Sequence, residues 1–361
     1  MTTGFAVTAG WDLPVGDSSH VHAAVAMADA AVTHAGLTPA DRAACALIAT
    51  ELATNLARHA RDGRLVATAT DPGPAAWVQL AATDRGPGIP DVAAAMVDGF
   101  STANSLGGGL GACQRAAGVF DLYAAAGAGT VVIARSGPGA PAGPTAGPQV
   151  GGILAARAGE QESGDAWGVF PDPDPGPANP LTGTAGPAGA LTLAIVDGLG
   201  HGPDAAKAAA VSLDTIAEAT GGPDGGDPVA LLGRLNRQLA GGRGAVAGLA
   251  RLARGQLAYG GVGNIGARLA AAGPNRPAHG LVSSMGTLGL AQRLRPQAAV
   301  SPWRPVSLFA AHSDGVRSSW DLPRYPGATR HDPAVLAALV WRDAATRGDD
   351  AAVVVLAGGA R

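Results

Sequence analysis

The sequence predicts two domains: an α/β layer domain, then an α+β domain in which strands dominate. The chain has 361 residues, and domains commonly hold about 150 residues. Hydrophobic residues make up 47% of the chain, which suffices for sizeable cores. The stretch SGPGAPAGPTAGPQVGG, residues 136–152, is nearly free of large side chains and is typical of a linker. We therefore place the first domain at residues 1–135, the linker at 136–150 and the second domain at 151–361.

The first domain alternates helical and strand-like segments, which favours an α/β layer arrangement. Its second helix has a clear start, because Thr38 can cap it, Pro39 suits the first helical position and Asp41 lies in the first turn. The predicted elements are, in order, helices at 20–36 and 38–60, strands at 64–70 and 77–83, a helix at 109–118 and two strands ending near residue 134.

In the second domain, short strand-like runs outnumber helices. The predicted elements are strands at 153–157, 166–170 and 191–196, helices near 203–219 and 228–240, four or five further strands, a helix at 333–346 and a final strand at 351–356. We interpret PDPDPGPANPLTGTAGPAG, residues 171–189, as a long surface loop, because strand-like sequence flanks it on both sides. This mixture favours an α+β domain.

The lysine count excludes two common phosphate-binding motifs from the first domain. Lys207 is the only lysine among 25 basic residues. A Walker P-loop needs a lysine that reaches the phosphates, and a eukaryotic-type protein kinase needs one on its third strand. A nucleotide site in the first domain must therefore work without lysine.

Charge and cysteine content exclude further classes. The net charge of −3 argues against a nucleic-acid binder. Cys45 and Cys113 form neither a disulfide framework nor a zinc-binding spacing, and we expect both in the core. The N-terminus lacks the features of a signal peptide, and no apolar run approaches the ~18 residues of a membrane span. We expect a cytoplasmic protein that binds neither nucleic acid nor membrane.

Polar residues follow one face of the second predicted helix. In ELATNLARHA, Glu51, Asn55 and His59 are spaced at successive i, i+4 steps. Ile48, Leu52 and Leu56 form the adjacent apolar stripe, which would pack against a sheet. A carboxylate and a carboxamide one turn apart can share a hard cation and polarise a water or hydroxyl. Taken alone, the same spacing fits a solvated helix face equally well.

Two glycine-rich segments follow that helix. DRGPGIPD places Asp84 at a strand end, where its carboxylate can accept a hydrogen bond from an exocyclic amine such as that of adenine. Gly86 and Gly88 give a tight turn that lets the backbone approach a flat ligand. STANSLGGGLGACQRA then leads into a helix, whose N-terminal amides can cradle phosphate without a lysine. The order of the three segments indicates a nucleotide site.

These segments resemble the boxes of the GHKL (histidine-kinase-like) ATPase family, most closely the RsbT/RsbW type of anti-sigma or switch kinase, over about residues 15–135. The resemblance implies that ATP binds with Mg²⁺, that Glu51 is the general base, that Asn55 ligates the Mg²⁺ and that Asp84 binds adenine. It also implies a mobile lid at residues 101–106, and it gives His59 either a catalytic role or one in packing the helix. The remaining implied nucleotide-binding residues are Gly86 and Gly88 in the adenine pocket, Gly107, Gly109 and Gly111 at the phosphates, and Thr130 closing the base pocket.

Single aspartates stand beside glycine at strand ends in the second domain. They occur in SGDAW, DGLGHG, HSDGV and RGDDAAVVV, as Asp165, Asp197, Asp314 and the pair Asp349 and Asp350. Carboxylates from separate strands can converge if a cation neutralises them, and ligation by oxygen alone favours Mg²⁺ or Mn²⁺ over zinc. Two such ions can activate a water for in-line attack on a phosphoryl group. Any one of these aspartates alone is more simply a turn residue.

Together with GVGN at residues 261–264, these strings resemble the metal-dependent protein phosphatase (PPM) family in its SpoIIE/RsbX branch. The resemblance implies a β-sandwich flanked by helices. The implied ligands of two Mn²⁺ or Mg²⁺ ions are Asp165, Asp197, the Gly198 carbonyl, Asp314 and Asp349. Asp349 is preferred to Asp350 because it takes the place of the first aspartate of the family's pair. His201 belongs to the motif, where it would order the loop, and no arginine can be assigned to clamp the phosphate.

The two resemblances together imply a bifunctional partner-switching regulator in a bacterial stress pathway. The first domain would phosphorylate Ser or Thr on a STAS-type antagonist (anti-anti-sigma) protein, or would sequester a sigma factor or another switch protein. The second domain would remove phosphate from such a protein. The alternative is that the first domain is a non-catalytic, ATP-dependent partner-binding module and that only the phosphatase is an enzyme. By analogy with similar regulators, a homo-oligomer is a further expectation.

Overall fold

The computed structural model describes residues 4–96, 109–140, 147–160, 162–172, 190–221, 225–270 and 278–359. The strands and helices in these ranges are, in chain order, β1 (Phe5–Pro14), α1 (His20–His34), α2 (Pro39–His59), β2 (Arg64–Thr70), β3 (Val78–Thr83), α3 (Val92–Ala95), α4 (Gly109–Ala116), β4 (Val119–Ala125), β5 (Gly129–Ser136), β6 (Gln149–Ala155), β7 (Asp165–Asp172), β8 (Ala190–Gly198), α5 (Pro203–Thr220), α6 (Pro228–Gln238), β9 (Ala245–Ala253), β10 (Gln256–Val262), β11 (Gly266–Ala270), β12 (His279–Leu281), β13 (Ala298–Pro302), β14 (Leu308–His312), α7 (Pro333–Ala344) and β15 (Ala351–Ala357). Two 3₁₀-helical turns, Leu322–Arg324 and Ala328–Arg330, precede α7.

Most of these elements lie within a few residues of their predicted positions. Helix α2 begins as its sequence predicts: the Thr38 side chain accepts a hydrogen bond from the Asp41 amide, and the Asp41 carboxylate accepts one from the Thr38 amide. Strand β1 was not predicted. The described part of the chain also has six strands between α6 and α7 instead of four or five, one of them only three residues long.

The strands form two antiparallel sheets. The ten-stranded sheet has the order β13-β10-β9-β8-β7-β1-β2-β3-β5-β4, and the five-stranded sheet has the order β12-β11-β14-β15-β6. Strand β1 pairs with β2 on one side and with β7 on the other. The strands of the two predicted domains therefore belong to one continuous sheet, and the predicted boundaries at 135 and 151 stay predictions.

The two sheets pack face to face over strands β7–β9 of the larger sheet. This core contains large side chains from both sheets, among them Trp167, Leu193, Phe309 and Val354. Trp77, at the start of β3, joins the same core and lies 6.2 Å from the ring of Trp167. The expected β-sandwich is thus confirmed, and the predicted fold class of an α/β layer joined to a strand-dominated α+β domain is confirmed with it.

Helices cover the other face of the ten-stranded sheet. Helices α1 and α2 pack against β2 and β3, and α5 and α6 pack against β8–β10. Ile48, Leu52 and Leu56 are buried in the first of these cores, which confirms the predicted apolar stripe of α2. Cys45 and Cys113 are free and buried, also as predicted.

Helix α7 lies between parts of the chain that are far apart in sequence. On one side it contacts β6 and β15 of the smaller sheet, and on the other it contacts β3, β4 and β5 of the larger sheet. Eleven of its twelve residues are buried. The second domain therefore covers the sheet face that α1 and α2 leave open in the first. Across the described ranges, no helix combines the length and apolar character needed to cross a membrane.

Candidate functional site

The candidate nucleotide site begins on α2, which contacts α4 and packs on β3 and β5. Glu51 of α2 is 8% exposed. It acts on Cys113 of the neighbouring helix α4: burial, and then the charge of Glu51, raise the pKa of the Cys113 thiol to about 12. Asn55, one turn further on, is half-buried. His59 is the last residue of α2 and is exposed, so it does not pack the helix.

Asp84 follows β3 and is held in a fixed position. Its amide donates to the Thr130 carbonyl at 3.0 Å, and its Oδ1 accepts from the Gly86 amide at 2.6 Å. Burial raises the pKa of Asp84, against the opposing effect of hydrogen bonds from Gly86 and from the Thr130 side chain. The structure therefore brings together Asp84, Gly86 and Thr130, three of the residues expected at the adenine pocket.

The glycines of this region divide into described and undescribed positions. Gly88 has φ +80 and faces the Ala125 carbonyl, so any side chain at this position would be strained. Gly109 and Gly111 lie in the first turn of α4, at the predicted phosphate-binding end. Gly107 and the predicted lid at 101–106 lie outside the described residues.

The predicted metal ligands lie at matching strand ends of the two sheets. Asp165 and Asp197 are directly paired across β7 and β8 of the larger sheet. Asp314 follows β14, and Asp349 precedes β15, its neighbour in the smaller sheet. The sandwich thus places four carboxylates, which stand up to 184 positions apart in the sequence, at strand ends near enough for their charges to affect one another.

The carboxylates act electrostatically on one another. Burial, and then the charge of Asp197, raise the pKa of Asp165 well above its usual range. Burial, and then the charges of Asp314 and Asp349, raise the pKa of Asp197 to about 8. Such a set of mutually repelling oxygens fits a divalent cation, which favours the charged forms. Among the described residues, no three His, Cys, Asp or Glu side chains are already gathered closely enough to hold a metal ion.

Neighbouring polar groups orient these carboxylates. The Ser313 hydroxyl donates to Asp165 at 2.5 Å, and Asn264 donates to Asp314 at 2.6 Å. Asp350 accepts hydrogen bonds from the backbone amides of Arg157 and Gly164, both at 2.7 Å. Both oxygens of Asp350 are engaged by these bonds, and the choice of Asp349 as the ligand of the pair stays a prediction. Sequence reasoning gave no role to Ser313 or Asn264, although both stand inside the quoted motif strings.

The loop DGLGHG is held from both sides. The Gly198 amide donates to the Gly164 carbonyl at 2.8 Å. His201 pairs with Glu160 at 3.1 Å, as expected for a residue that orders the loop. Arg243, which no motif marks, donates to the Leu199 carbonyl at 2.6 Å and pairs through Nη1 with Asp204 at 3.1 Å, which places an exposed guanidinium beside the loop. Of the predicted surface loop at 171–189, residues 173–189 lie outside the described part of the chain.

Comparison with known proteins finds relatives for the first part of the chain. Residues 16–151 match the histidine kinase-like ATPase domain family. The chain is also 37% identical over 100 residues to the serine/threonine-protein kinase RsbT of Bacillus subtilis (strain 168), covering 27% of this chain and 74% of the kinase.

Solved structures give further matches. A structure from a study of the bacterial stressosome is 28% identical to this chain and superposes with a TM-score of 0.47. The match covers 58% of this chain and 98% of that chain. A structure of RsbX in complex with magnesium is 21% identical, also with a TM-score of 0.47, covering 59% of this chain and 96% of that chain.

Proposed function

The chain belongs to the family of the serine/threonine kinase RsbT, with its histidine kinase-like ATPase domain, and on this premise we propose that it is a bifunctional partner-switching regulator. Its first domain would bind ATP and phosphorylate Ser or Thr on a partner protein. Its second domain would remove phosphate from such a protein. Two free, buried cysteines are compatible with a reducing compartment, and we place the protein in the cytoplasm.

The kinase proposal rests on the joint placement of Asp84, Gly86 and Thr130 beside the helix that carries Glu51. Asp84 would accept a hydrogen bond from the adenine amine, and the glycine-rich start of α4 would face the phosphates. Asn55 would ligate the Mg²⁺ that accompanies ATP. Glu51 would take the proton of the partner's hydroxyl as its oxygen is phosphorylated.

The phosphatase proposal rests on the pairing of Asp165 with Asp197 across β7 and β8 and on the position of Asp314 and Asp349 at the ends of the neighbouring strands β14 and β15. These carboxylates and the Gly198 carbonyl would hold two Mn²⁺ or Mg²⁺ ions. The bound ions would supply Lewis-acid polarisation of the phosphoryl group and of an attacking water. Arg243 would contribute a guanidinium beside the loop, which suits an incoming phosphate.

We propose a STAS-type antagonist protein as the phosphorylated partner, with a sigma factor or another switch protein as a second partner and a homo-oligomer as the assembly. The alternative is that the first domain is a non-catalytic, ATP-dependent partner-binding module. One observation favours it: the Glu51 side chain is only 8% exposed, which limits access for a partner's hydroxyl.

Phosphate transfer from labelled ATP distinguishes the kinase from the binding module. The purified chain is incubated with a STAS-type protein, and the Glu51→Gln variant serves as a control that keeps the size of the side chain. Labelled partner that disappears with Glu51→Gln supports the kinase. ATP-dependent binding that survives in Glu51→Gln, without labelled partner, supports the binding module.

Release of phosphate from a phosphorylated STAS-type protein in Mn²⁺ tests the second domain. The control is a variant that combines Asp197→Ala with Asp314→Ala. Wild-type protein should release phosphate faster than this control. Equal rates for the two proteins would contradict the phosphatase proposal.

A further inference from the structure

A buried arginine of the second domain reaches the proposed nucleotide pocket of the first. Nη1 of Arg342, on α7, donates hydrogen bonds of 2.8 Å to the carbonyl of Asp84 and of 2.8 Å to the carbonyl of Ala128. The Arg342 side chain is only 6% exposed. Asp84 would bind adenine, and Ala128 lies two positions before Thr130, which would close the base pocket. The guanidinium therefore holds the backbone of both segments that would line the adenine site.

The start of β5 is shaped to admit this guanidinium. Gly129 has φ +84, and a Cβ there would overlap the Asp84 carbonyl and lie 3.0 Å from Nη1 of Arg342. Only glycine combines this backbone conformation with such a close approach. The contact between α7 and the pocket is therefore built into the local backbone.

Ion pairs tie the adjacent residues of the two segments. Asp343 accepts from Nε of Arg342 at 2.9 Å and lies 2.7 Å from Nη1 of Arg85. Arg85 in turn donates to the Arg342 carbonyl at 2.6 Å. Two consecutive residues after β3 are thus bound to two consecutive residues near the end of α7.

The chain that leaves α7 leads directly to the proposed metal centre. The Thr346 amide donates to the Gly315 carbonyl at 2.8 Å, and the Arg317 amide donates to the Ala344 carbonyl at 3.0 Å. Gly315 immediately follows Asp314, and Asp349 lies three positions after Thr346. One short segment, residues 342–349, therefore holds the loop of one proposed ligand, carries another and supports the nucleotide pocket.

We propose that the segment 342–349 couples the two sites, with Arg342 as a positioning residue for Asp84. Adenine nucleotide at the first site and divalent metal at the aspartates of the second site would each favour the binding of the other. This inference rests on the proposed function of both sites. On this proposal each ligand favours the same arrangement of the segment, so the ligand that binds first reduces the free energy that the second must spend to hold it. By linkage, the gain in affinity is the same in both directions.

The test is a cycle of ADP affinities measured on the full chain with a fluorescent ADP analogue at fixed Mg²⁺. The four proteins are wild type, Asp197→Asn, Arg342→Ala and the double variant. Wild type should bind ADP more tightly than Asp197→Asn, within the roughly 5- to 150-fold range of allosteric coupling. In the Arg342→Ala background this difference should vanish. Equal affinities of wild type and Asp197→Asn, or a difference that survives without Arg342, would overturn the coupling.

Phosphatase rates on p-nitrophenyl phosphate give a second comparison. ADP should raise the rate of wild type and leave that of Arg342→Ala unchanged, with Arg342→Lys intermediate because it keeps the charge and loses the fork of donors. The matched control is Arg330→Ala, an exposed arginine just before α7, which should respond as wild type does. A fall in the wild-type rate with ADP would overturn the proposed sign.

Hydrogen exchange tests the coupling without any variant. ADP should slow exchange of the Thr346 and Arg317 amides, whose bonds join the segment to the loop after Asp314. Unchanged exchange at saturating ADP overturns the inference. If the wild-type protein shows no phosphatase activity, the proposed function of the second domain is wrong. The ADP affinities and the hydrogen exchange then still decide whether the two sites are coupled. Absence of ADP binding overturns the proposed nucleotide site and, with it, the coupling.

Discussion

The hydroxyl of Ser313 donates a hydrogen bond of 2.5 Å to the carboxylate of Asp165, across the gap between the two sheets. The same hydroxyl oxygen accepts the amide of Ala352 at 3.0 Å. Ser313 is fully buried. It therefore fixes the orientation of a carboxylate that would otherwise meet mainly the negative charges of its neighbours.

Replacing Ser313 with alanine removes that support. Partners that orient metal ligands typically change metal affinity by about 10- to 100-fold, so Ser313→Ala should need more Mn²⁺ for half-maximal phosphatase rate. It also leaves the buried Ala352 amide unpaired, which should cost about 1–3 kcal/mol of unfolding free energy. Ser18→Ala, at an exposed position, is the control. Wild-type metal dependence in Ser313→Ala would contradict the assigned role.

Arg135 joins β5 to the start of α7. Its guanidinium donates two hydrogen bonds to Asp332, at 2.6 and 3.0 Å, and its side chain is 3% exposed. Arg135→Met removes the only cation that pairs with Asp332 in the described structure and leaves its carboxylate with the Ala334 amide alone, so it should lower the unfolding free energy by about 3–5 kcal/mol. The exposed pair of Arg42 and Asp29 offers a matched control, and Arg42→Met should cost at most about 1 kcal/mol. Urea unfolding measures both, and equal losses would show that burial is not the deciding factor.

Asp121 of β4 predicts an acid-sensitive contact with the residues before α7. Burial alone would raise the pKa of Asp121, but hydrogen bonds from His331 and from the Asp332 amide outweigh it and lower the pKa below 3.8. A carboxyl whose pKa is lower in the folded state stabilises the fold above its unfolded value of 3.8 and loses that contribution as pH falls through the folded value.

The unfolding free energy of the wild type should therefore fall more steeply below pH 3.8 than that of Asp121→Asn. Urea unfolding across this pH range measures the difference. Asp62→Asn, at an exposed position, should keep the wild-type slope. Parallel curves for wild type and Asp121→Asn would contradict the prediction.

Arg243 is expected to act on substrate binding. A charge-assisted hydrogen bond to phosphate is worth about 1.5–3 kcal/mol, so Arg243→Ala should lower kcat/KM for a phosphorylated protein by roughly 10- to 100-fold, mainly through KM. Arg237→Ala, an exposed arginine of α6, should leave both constants unchanged. A loss confined to kcat would instead mean that Arg243 acts through the order of the loop.

Local signals explain what the sequence could predict. The bounds of α2 follow from its cap and its apolar stripe, both of which act within a few residues. Strand β1 lacks a regular alternation, and it is defined by pairing with β2, roughly 50 to 60 residues later, and with β7, about 160 residues later. Such pairing depends on contacts that no window of sequence contains.

The residues of the candidate sites also divide into those that a local sequence pattern marks and those that only the fold brings to a site. Asp84 and Asp197 stand in recognisable strings, because glycine and aspartate at a strand end leave a local pattern. Arg342 stands in an ordinary helix, and its bond to Asp84 spans 258 positions. Its role could not be predicted from the sequence, since it arises only from the packing of α7 against the first domain.

The continuous ten-stranded sheet also determines how this chain can be dissected. A cut between residues 137 and 148 would open the edge of β7 that β1 now covers and would uncover the strands that lie on α7. Exposed edges of this kind template aggregation. We expect neither fragment to be a well-behaved enzyme, so proteolysis within this stretch would remove both proposed activities at once. Cleavage here would then remove kinase and phosphatase together and leave the ratio between them unchanged.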